Sequence, residues 1–202
     1  AAILLSRPWI RGKGFFGAAV LTPMVVPEVV ASLTWASVLA TSPEGTLNRL
    51  TAVFGQEPSA WLQTAPMLAI ILVNIWLGIP FNLTLLYSGL QDIPDELYEA
   101  GALDGATGWR AFWSITWPNL RPVVGVVLML GVIYTLKVLD IILGLTQGGP
   151  ANATQTIALQ SYQRSFVEFK FGEGAALSNI LIVISLVFAV IYLRANRRQV
   201  DE

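Results

Sequence analysis

The sequence predicts an all-α membrane protein, and three observations carry that prediction. Of the 202 residues, 54% are hydrophobic and 12% are charged, whereas a soluble domain carries about 25% charged residues. The mean hydropathy is +0.63. Long apolar stretches alternate with short polar segments, as expected of helices that cross a bilayer and need about 20 apolar residues each.

About four apolar stretches are long enough to span a membrane. The predicted spans are residues 15–40, 66–90, 122–145 and 174–193. No domain boundary or long repeat is visible, so residues 1–202 are predicted to form a single domain. The chain starts at Ala1 without a methionine, and we expect it to be a fragment that lacks upstream spans.

The first and third predicted spans contain ionisable residues. Glu28 follows Pro23 and Pro27, and a charge at such depth marks either a functional site or a kink that faces water or another subunit. Lys137 and Asp140 are three residues apart, which places them on one face of a helix where they can pair. Pairing would lower the cost of burying either charge.

Composition and motifs exclude several functions. The net charge of −1 suggests no nucleic-acid partner. The chain has no cysteine and no histidine, so it lacks thiolate chemistry and the commonest metal ligand and general base. No phosphate-binding G-x-x-x-x-G-K-[ST] loop and no hydrolase motif occurs. We therefore expect no enzyme activity and no metal site in this chain.

Residues 92–121 form a long polar interruption with the pattern of two short helices. Pro94 suits the start of the first helix, where its missing N–H costs no hydrogen bond. Asp95, Glu96 and Glu99 place negative charge near the positive end of the helix dipole.

The remainder of this segment predicts a turn and a second helix. Leu97, Ala100 or Gly101, and Leu103 or Asp104 recur at helical spacing, which indicates one small-residue face of the first helix. Gly105 and neighbouring residues break that helix, and Asp104 is expected to cap the turn. A second short helix is predicted at residues 109–116, with Pro118 and Pro122 marking the return to apolar sequence.

The distribution of basic residues predicts the orientation in the membrane. Cytoplasmic segments carry an excess of lysine and arginine. One side of the predicted bundle holds Arg7, Arg11, Lys13, Arg110, Arg121, Arg194, Arg197 and Arg198, and the other holds Arg49, Arg164 and Lys170. The first side, which includes residues 92–121, is therefore predicted to be cytoplasmic.

Three groups of residues in this segment carry a resemblance. Glu99-Ala100-Gly101, Asp104-Gly105-Ala106 and Ile115-Thr116-Trp117-Pro118 resemble the EAA loop of ABC importer permeases, in which Glu-Ala-Ala precedes a glycine and a distal Ile-x-Leu-Pro. Gly101 stands where the second alanine is usual, and Trp117 stands where leucine is usual. The resemblance covers nearly the whole chain.

The resemblance implies the transmembrane domain of a type I ABC importer, with residues 92–121 as a coupling loop that docks in a groove of an ATPase subunit. Glu99 would pair with a basic residue or helix cap there, Gly105 would let the two short helices meet closely, and Pro118 would fix the exit angle. The residues that it assigns to ATPase coupling are Glu99, Ala100, Gly101, Asp104, Gly105, Ile115 and Pro118.

Further stretches resemble maltose-type carbohydrate permeases: NIWLG at 74–78, GLQ at 89–91, LKVLD at 136–140 and LTQGGP at 145–150. This resemblance implies uptake of a sugar or sugar-like solute through the cell inner membrane. The implied partners are a second permease subunit, two ATPase subunits that use ATP and magnesium, and an extracytoplasmic sugar-binding protein. This chain itself would bind no cofactor.

Sugars are bound by aromatic stacking and dense hydrogen bonding, which selects candidates for the solute path. They are Trp35, Asn74, Trp76, Tyr134, Thr135, Lys137 and Asp140. The tryptophans also fit interfacial anchors, and Asn74 also fits a residue that joins helices by hydrogen bonds.

Two other functions compete with an ABC importer. An ion-coupled secondary transporter would use Glu28, Lys137 and Asp140 as a relay, but it needs no structured cytoplasmic loop and usually shows inverted repeats. A membrane-anchored assembly protein without transport is the third hypothesis.

Overall fold

The computed structural model describes residues 13–197, and within that range the chain is helical and contains no strand. Arg7, Arg11 and Arg198, which contribute to the charge bias, lie outside the described residues. Although the sequence shows no boundary, the described chain divides into two compact units. Unit 1 comprises residues 13–22, 78–132 and 191–197, and unit 2 comprises residues 23–77 and 133–190.

The helices are numbered in chain order. They are α1 (Lys13–Leu21), α2 (Glu28–Val38), α3 (Thr46–Ala52), α4 (Trp61–Thr64), α5 (Pro66–Gln91), α6 (Asp95–Leu103), α7 (Trp109–Ala111), α8 (Trp117–Leu136), α9 (Asp140–Leu145), α10 (Ile157–Tyr162) and α11 (Phe171–Arg197). A 3₁₀ turn spans Thr22–Met24, and π-helical segments span Phe112–Thr116 and Gln163–Val167.

Three helices in the described range are long and apolar enough to cross a membrane. They are Pro66–Gln91, Trp109–Leu136 and Phe171–Arg194. A fourth crossing is obtained if the broken pair Gly17–Met24 and Glu28–Val38 counts as one span. Side chains along Phe171–Arg194, such as Ile182 and Val183, are exposed, which is the arrangement that contact with lipid requires.

The predicted span over residues 15–40 contains a break between two helices. The chain leaves α1, passes through the 3₁₀ turn that contains Pro23, and begins α2 after Pro27, which is the N-cap residue. Proline lacks an N–H and its ring collides with the preceding turn, so two prolines four residues apart end one helix and start the next. Glu28 lies exposed in the first turn of α2, which agrees with the alternative of a residue at a kink.

The helix in the region of the predicted span 122–145 has different ends from that prediction. The helix starts earlier, since α7, the π segment Phe112–Thr116 and α8 run without interruption from Trp109, and it stops at Leu136. There the Lys137 N–H donates to the Tyr134 carbonyl at 3.1 Å. This i-to-i−3 bond tightens and terminates the last turn, and a new helix, α9, begins at Asp140.

Unit 2 has a hydrophobic core that α9 completes. Val73 of α5, Ile141 and Ile142 of α9, and Leu159 of α10 are almost fully buried together with Leu39. The backbone hydrogen bonds lost at the break after Leu136 are therefore offset by the burial of Ile141 and Ile142, which enter this core because the span ends there.

A buried asparagine holds the connection between α2 and α5. The Asn48 side-chain nitrogen donates to the carbonyls of Ala40 and Ser59 at 3.1 and 3.2 Å, and its oxygen accepts from the Trp61 indole at 2.9 Å. All polar atoms of this buried side chain are thus satisfied, and the loop between the two helices is fixed by one residue of α3.

A charged cluster precedes α11. The Glu168 carboxylate lies 2.6 Å from the Arg164 guanidinium and 3.0 Å from the Lys170 ammonium. The hydrogen bond from Lys170, with a further contribution from Arg164, holds the pKa of Glu168 below its usual range. Glu168 therefore stays ionised at neutral pH.

Candidate functional site

Residues 92–121, which are predicted to be a coupling loop and are called that below, are built around helix α6. Asp95 and Glu96 occupy its first turn, where carboxylates stabilise the unpaired N–H groups of a helix N-terminus. Pro94 precedes the helix as its N-cap residue with φ −60°. The first helix of the loop thus forms where the sequence predicts it, with Pro94 one position earlier.

The inner face of α6 contacts the π segment through two contacts. The Tyr98 hydroxyl lies 2.9 Å from the Thr116 hydroxyl and forms a hydrogen bond with it. One turn further along, Gly101 lies under the side chain of Ile115, and a β-carbon at Gly101 would come within 2.5 Å of Ile115 Cδ1. Ile115 and Thr116 are both buried.

These contacts correct the role assigned to Gly105. Space around Gly105 is open, and what requires glycine there is its φ of +74°, which is unfavourable for residues with a β-carbon. The close approach of the two helices occurs at Gly101 instead. A glycine in place of the usual alanine therefore makes room for Ile115 and does not merely loosen the helix.

Asp104 closes α6 through its backbone and not through its side chain. Its N–H donates to the Ala100 carbonyl at 3.2 Å, and its side chain is exposed without a hydrogen bond to any described residue. The expectation that the Asp104 side chain caps the turn is therefore wrong. The carboxylate is left free for contact with another molecule.

Pro118 lies inside a helix, and its expected role in fixing the exit angle stays a prediction. The helix runs from Trp109 through Pro118 to Leu136. Proline supplies no N–H to the carbonyl four residues before it, and the π segment Phe112–Thr116 immediately upstream is the kind of local widening that relieves such a clash. The second helix of the coupling loop is consequently the first part of a membrane span.

The outer face of α6 carries a residue that the sequence analysis did not assign to the site. Leu103, about 200° around the helix from Gly101, is 91% exposed and faces away from the π segment. Glu99, one turn before Leu103, is also exposed. Helical spacing alone does not tell which face of a helix packs inward.

A cavity of about 800 Å³ lies beside the inner face of α6. Its polar lining comes from Gln91, Asp95, Tyr98, Thr107 and Thr116. All of these residues belong to unit 1. The cavity therefore lies within unit 1, beside α6 and the π segment that α6 contacts.

The predicted solute-path residues lie in unit 2 and form two separate contacts. Trp35 and Trp76 meet edge to face with ring centroids 5.6 Å apart, and the Asn74 amide donates to the Thr135 hydroxyl at 3.2 Å. Asn74 and Trp76 are two residues apart on α5, and therefore about 200° apart around the helix. The structure does not bring the two pairs into one surface.

The predicted solute-path residues differ in burial: some pack against the core and others are exposed. Trp35 packs against the buried core of unit 2, while Trp76 and Asn74 are half-buried and Thr135 is exposed. The bond between Asn74 and Thr135 joins α5 to α8, which is the helix-joining role considered for Asn74. Tyr134 is 60% exposed.

Lys137 and Asp140 do not share a helix face and do not form the ion pair that their spacing allows, which leaves a pairing of Lys137 with the partner subunit open. The two residues lie on either side of a helix break, since Lys137 follows the end of α8 and Asp140 occupies the first turn of α9. The ion pairs among residues 13–197 do not join them. Lys137 instead lines a largely apolar cavity of about 570 Å³ together with Ser161, Tyr162 and Ser185.

This arrangement disfavours the ion-coupled alternative. A relay needs its ionisable groups in mutual contact or connected by polar groups. Glu28 stands at the start of α2, and Lys137 and Asp140 are not paired with each other. No group of carboxylates able to hold a metal ion occurs in the described range.

Comparison with curated proteins shows which proteins this chain is similar to. It is 38% identical to the trehalose/maltose transport system permease protein MalF of Thermococcus litoralis over 203 aligned residues, which cover 100% of this chain and 68% of that protein. It is 33% identical to the sn-glycerol-3-phosphate transport system permease protein UgpA of Agrobacterium fabrum, covering 95% of this chain and 66% of that protein.

Solved structures show the same fold. A bacterial ABC transporter involved in the import of the acidic polysaccharide alginate superposes with a TM-score of 0.86 at 22% identity, covering 98% of this chain and 70% of the compared chain. The predicted all-α fold of a type I importer transmembrane domain is thereby confirmed.

The family assignment rests on nearly the full length of the chain. A family profile matches residues 2–200, and the predicted membrane location agrees with the family's description and with the long apolar helices Pro66–Gln91, Trp109–Leu136 and Phe171–Arg194. The chain therefore belongs to the family of binding-protein-dependent transport system inner membrane components.

Proposed function

We propose that this chain is a permease subunit of an ATP-driven importer, and that it forms part of the path of a sugar or sugar-like solute. A second permease subunit, two ATPase subunits that hold ATP and magnesium, and an extracytoplasmic binding protein that delivers the solute complete the importer. The solute class is supported by relatives named for trehalose/maltose and for sn-glycerol 3-phosphate, and by a fold neighbour named for alginate.

The observation that carries this proposal is the construction of the coupling loop. Helix α6 is fixed to the start of a membrane span by the hydrogen bond between Tyr98 and Thr116 and by the contact of Gly101 with Ile115. Its outer face presents Leu103 and Glu99 to the surroundings. A helix that is rigidly attached on one face and bears an unburied leucine on the other is suited to receive a partner.

The same attachment offers a route for movement. The helix Trp109–Leu136 is continuous over 28 residues, which corresponds to roughly 42 Å at 1.5 Å per residue. Tyr134 and Thr135 lie near its far end. A displacement of α6 by an ATPase subunit would therefore move the start of this membrane helix, as in rigid-body switching.

For the solute path we retain Asn74, Trp76, Tyr134, Thr135, Lys137 and Asp140 as candidates. Trp76 supplies an aromatic face, and the amide and hydroxyl groups supply hydrogen-bond donors and acceptors, which is the chemistry that sugars require. Trp35 is retained as a residue that orients Trp76 through their edge-to-face contact.

The energy source gives the first test. In cells that express the full-length chain with its companion subunits, we expect uptake of radiolabelled maltose, trehalose or sn-glycerol 3-phosphate to continue when an uncoupler collapses ion gradients. Uptake should stop when cellular ATP is depleted, because hydrolysis in the ATPase subunits drives the cycle. Uptake that stops with the uncoupler while ATP is maintained would contradict the proposal.

The exposed leucine gives the second test. Burying a leucine side chain stabilises an interface by about 1.5–3 kcal/mol, so Leu103→Ser should weaken binding of the ATPase subunit roughly ten- to a hundredfold. Copurification of the ATPase with the tagged permease measures the loss. Leu50→Ser is the matched control, since Leu50 is 58% exposed on α3, outside the coupling loop. Equal losses in both variants would remove Leu103 from the docking surface.

A further inference from the structure

An aromatic ladder, defined as Trp109, Trp113 and Trp117, covers one side of the helix that follows α6. Successive rings are 5.8 Å apart at both steps, and Phe112 stacks on Trp109 at 5.4 Å. Trp109 is 74% exposed and Trp113 is 51% exposed. Nothing in the coupling function described above uses this surface.

The length of the helix determines where the ladder lies. A helix of 28 residues, Trp109–Leu136, is roughly 42 Å long, whereas the hydrocarbon core of a bilayer is about 30 Å thick. About eight residues must therefore lie outside the core. The apolar part of the helix is its second half, so the protruding part is the end that carries the ladder. Tryptophan is enriched at this depth, where its ring lies among the headgroups.

Two arginines lie close to the ladder in the sequence. Arg110 is in the first turn of the helix Trp109–Leu136, and Arg121 follows Trp117 by one turn on the same side of α8. Both are exposed, and the ion pairs of the described residues involve neither. A guanidinium group binds phosphate oxygens through two parallel hydrogen bonds. Arg121 begins about one turn inside the core edge, and a long arginine side chain near the end of a span extends toward the headgroups. There it is matched in charge and geometry to a lipid phosphate.

The surface continues toward the hydrocarbon core. Leu128 and Val132 recur at helical spacing from Trp117 and Arg121 on the same side of α8, and both are exposed, at 59% and 39%. These two residues form an apolar surface on the hydrocarbon side of Arg121, against which an acyl chain can pack. Ile115 and Thr116, by contrast, are buried against α6, so the two sides of the π segment have different partners.

We propose that the aromatic ladder with Arg121 is a binding site for an anionic phospholipid of the cytoplasmic leaflet. The phosphate accepts hydrogen bonds from Arg121, and the headgroup beyond the phosphate lies against Trp117 and Trp113. Arg110 is a second cation nearer the water, and one acyl chain follows Leu128 and Val132. The site is independent of the solute that the importer carries.

Native mass spectrometry of the full-length chain, with the subunits that copurify with it, tests this site. The probes are phosphatidylglycerol and phosphatidylcholine at equal concentration. We expect preferential retention of phosphatidylglycerol, a loss of about tenfold in that retention in Arg121→Gln, and a several-fold loss in Trp113→Leu. Trp113→Phe, which keeps an aromatic ring, should retain most of the binding.

Arg194→Gln is the matched control, because Arg194 is an exposed arginine at the end of another candidate span. It should leave retention unchanged. Equal retention of both lipids, unchanged retention in Arg121→Gln, or an equal loss in Arg194→Gln would each overturn the site. A photo-crosslinking amino acid in place of Trp113 should label lipid, and labelling of a protein subunit instead would assign the surface to that subunit.

Discussion

Replacing Glu99 with lysine is expected to abolish ATP-dependent uptake while the chain still inserts in the membrane. Glu99 is exposed on α6 beside the outward-facing Leu103, where an ATPase subunit is proposed to dock. Removing one partner of a desolvated charge pair at an interface costs about 2–5 kcal/mol, which is at least a thirtyfold loss of affinity. Reversal of the charge adds repulsion against the basic partner group.

Three measurements distinguish this effect from misfolding. Membrane content of the variant should match that of the wild type, ATPase copurification should fall, and uptake should fall with it. Asp92→Lys is the control, because Asp92 is an exposed acid of the same loop that precedes α6. If Glu99→Lys retained normal ATPase binding and normal uptake, the coupling role of Glu99 would be refuted.

Replacing Gly101 with leucine is expected to detach α6 from the π segment. A β-carbon at Gly101 already meets Ile115 Cδ1 at 2.5 Å, and the rest of a leucine side chain would have to displace buried Ile115. Overpacking of this kind costs about 1–3 kcal/mol. We expect a lower unfolding temperature of the purified complex and a large loss of uptake, because the coupling helix no longer moves with its span.

Alanine at the same position should behave differently. Ile115 Cδ1 is the end of a flexible side chain and can rotate away from one methyl group, and alanine favours the helix by about 1 kcal/mol over glycine. Gly101→Ala should therefore be close to neutral.

A double-mutant cycle tests the contact itself. Ile115→Ala alone should destabilise the chain by about 2–5 kcal/mol, and combined with Gly101→Leu the total loss should be smaller than the sum by at least about 0.5 kcal/mol. Strict additivity of the two losses would show that the side chains do not meet.

The chemistry of the coupling loop was accessible from sequence because its signals are local. Pro94 and the acids after it mark a helix start, and Gly105 marks its end, since each acts through its own backbone or the adjacent helix terminus. The direction in which that helix faces was not accessible. Tyr98 and Gly101 face inward and Leu103 faces outward because of Thr116 and Ile115, which are more than ten residues away.

Helix breaks show the same limit. Pro23 and Pro27 were visible in the sequence, but membrane helices tolerate proline when neighbours satisfy the freed carbonyls. The end of α8 at Leu136 has no proline or glycine to mark it. It follows from the burial of Ile141 and Ile142 in the core of unit 2, which is a gain that only the packed chain reveals.

The sequence by itself determined that this protein is a helical membrane protein and which family it belongs to, and it singled out residues 92–121 as the proposed coupling loop. Hydropathy, charge bias and motif spacing are properties of the linear chain and do not depend on how the helices pack. Only the tertiary structure decided which face of α6 is free, that glycine at position 101 serves a close contact, and that Lys137 and Asp140 do not pair. Those features depend on distances between residues far apart in the chain, and hydrophobic periodicity carries no information about which neighbour fills a given face.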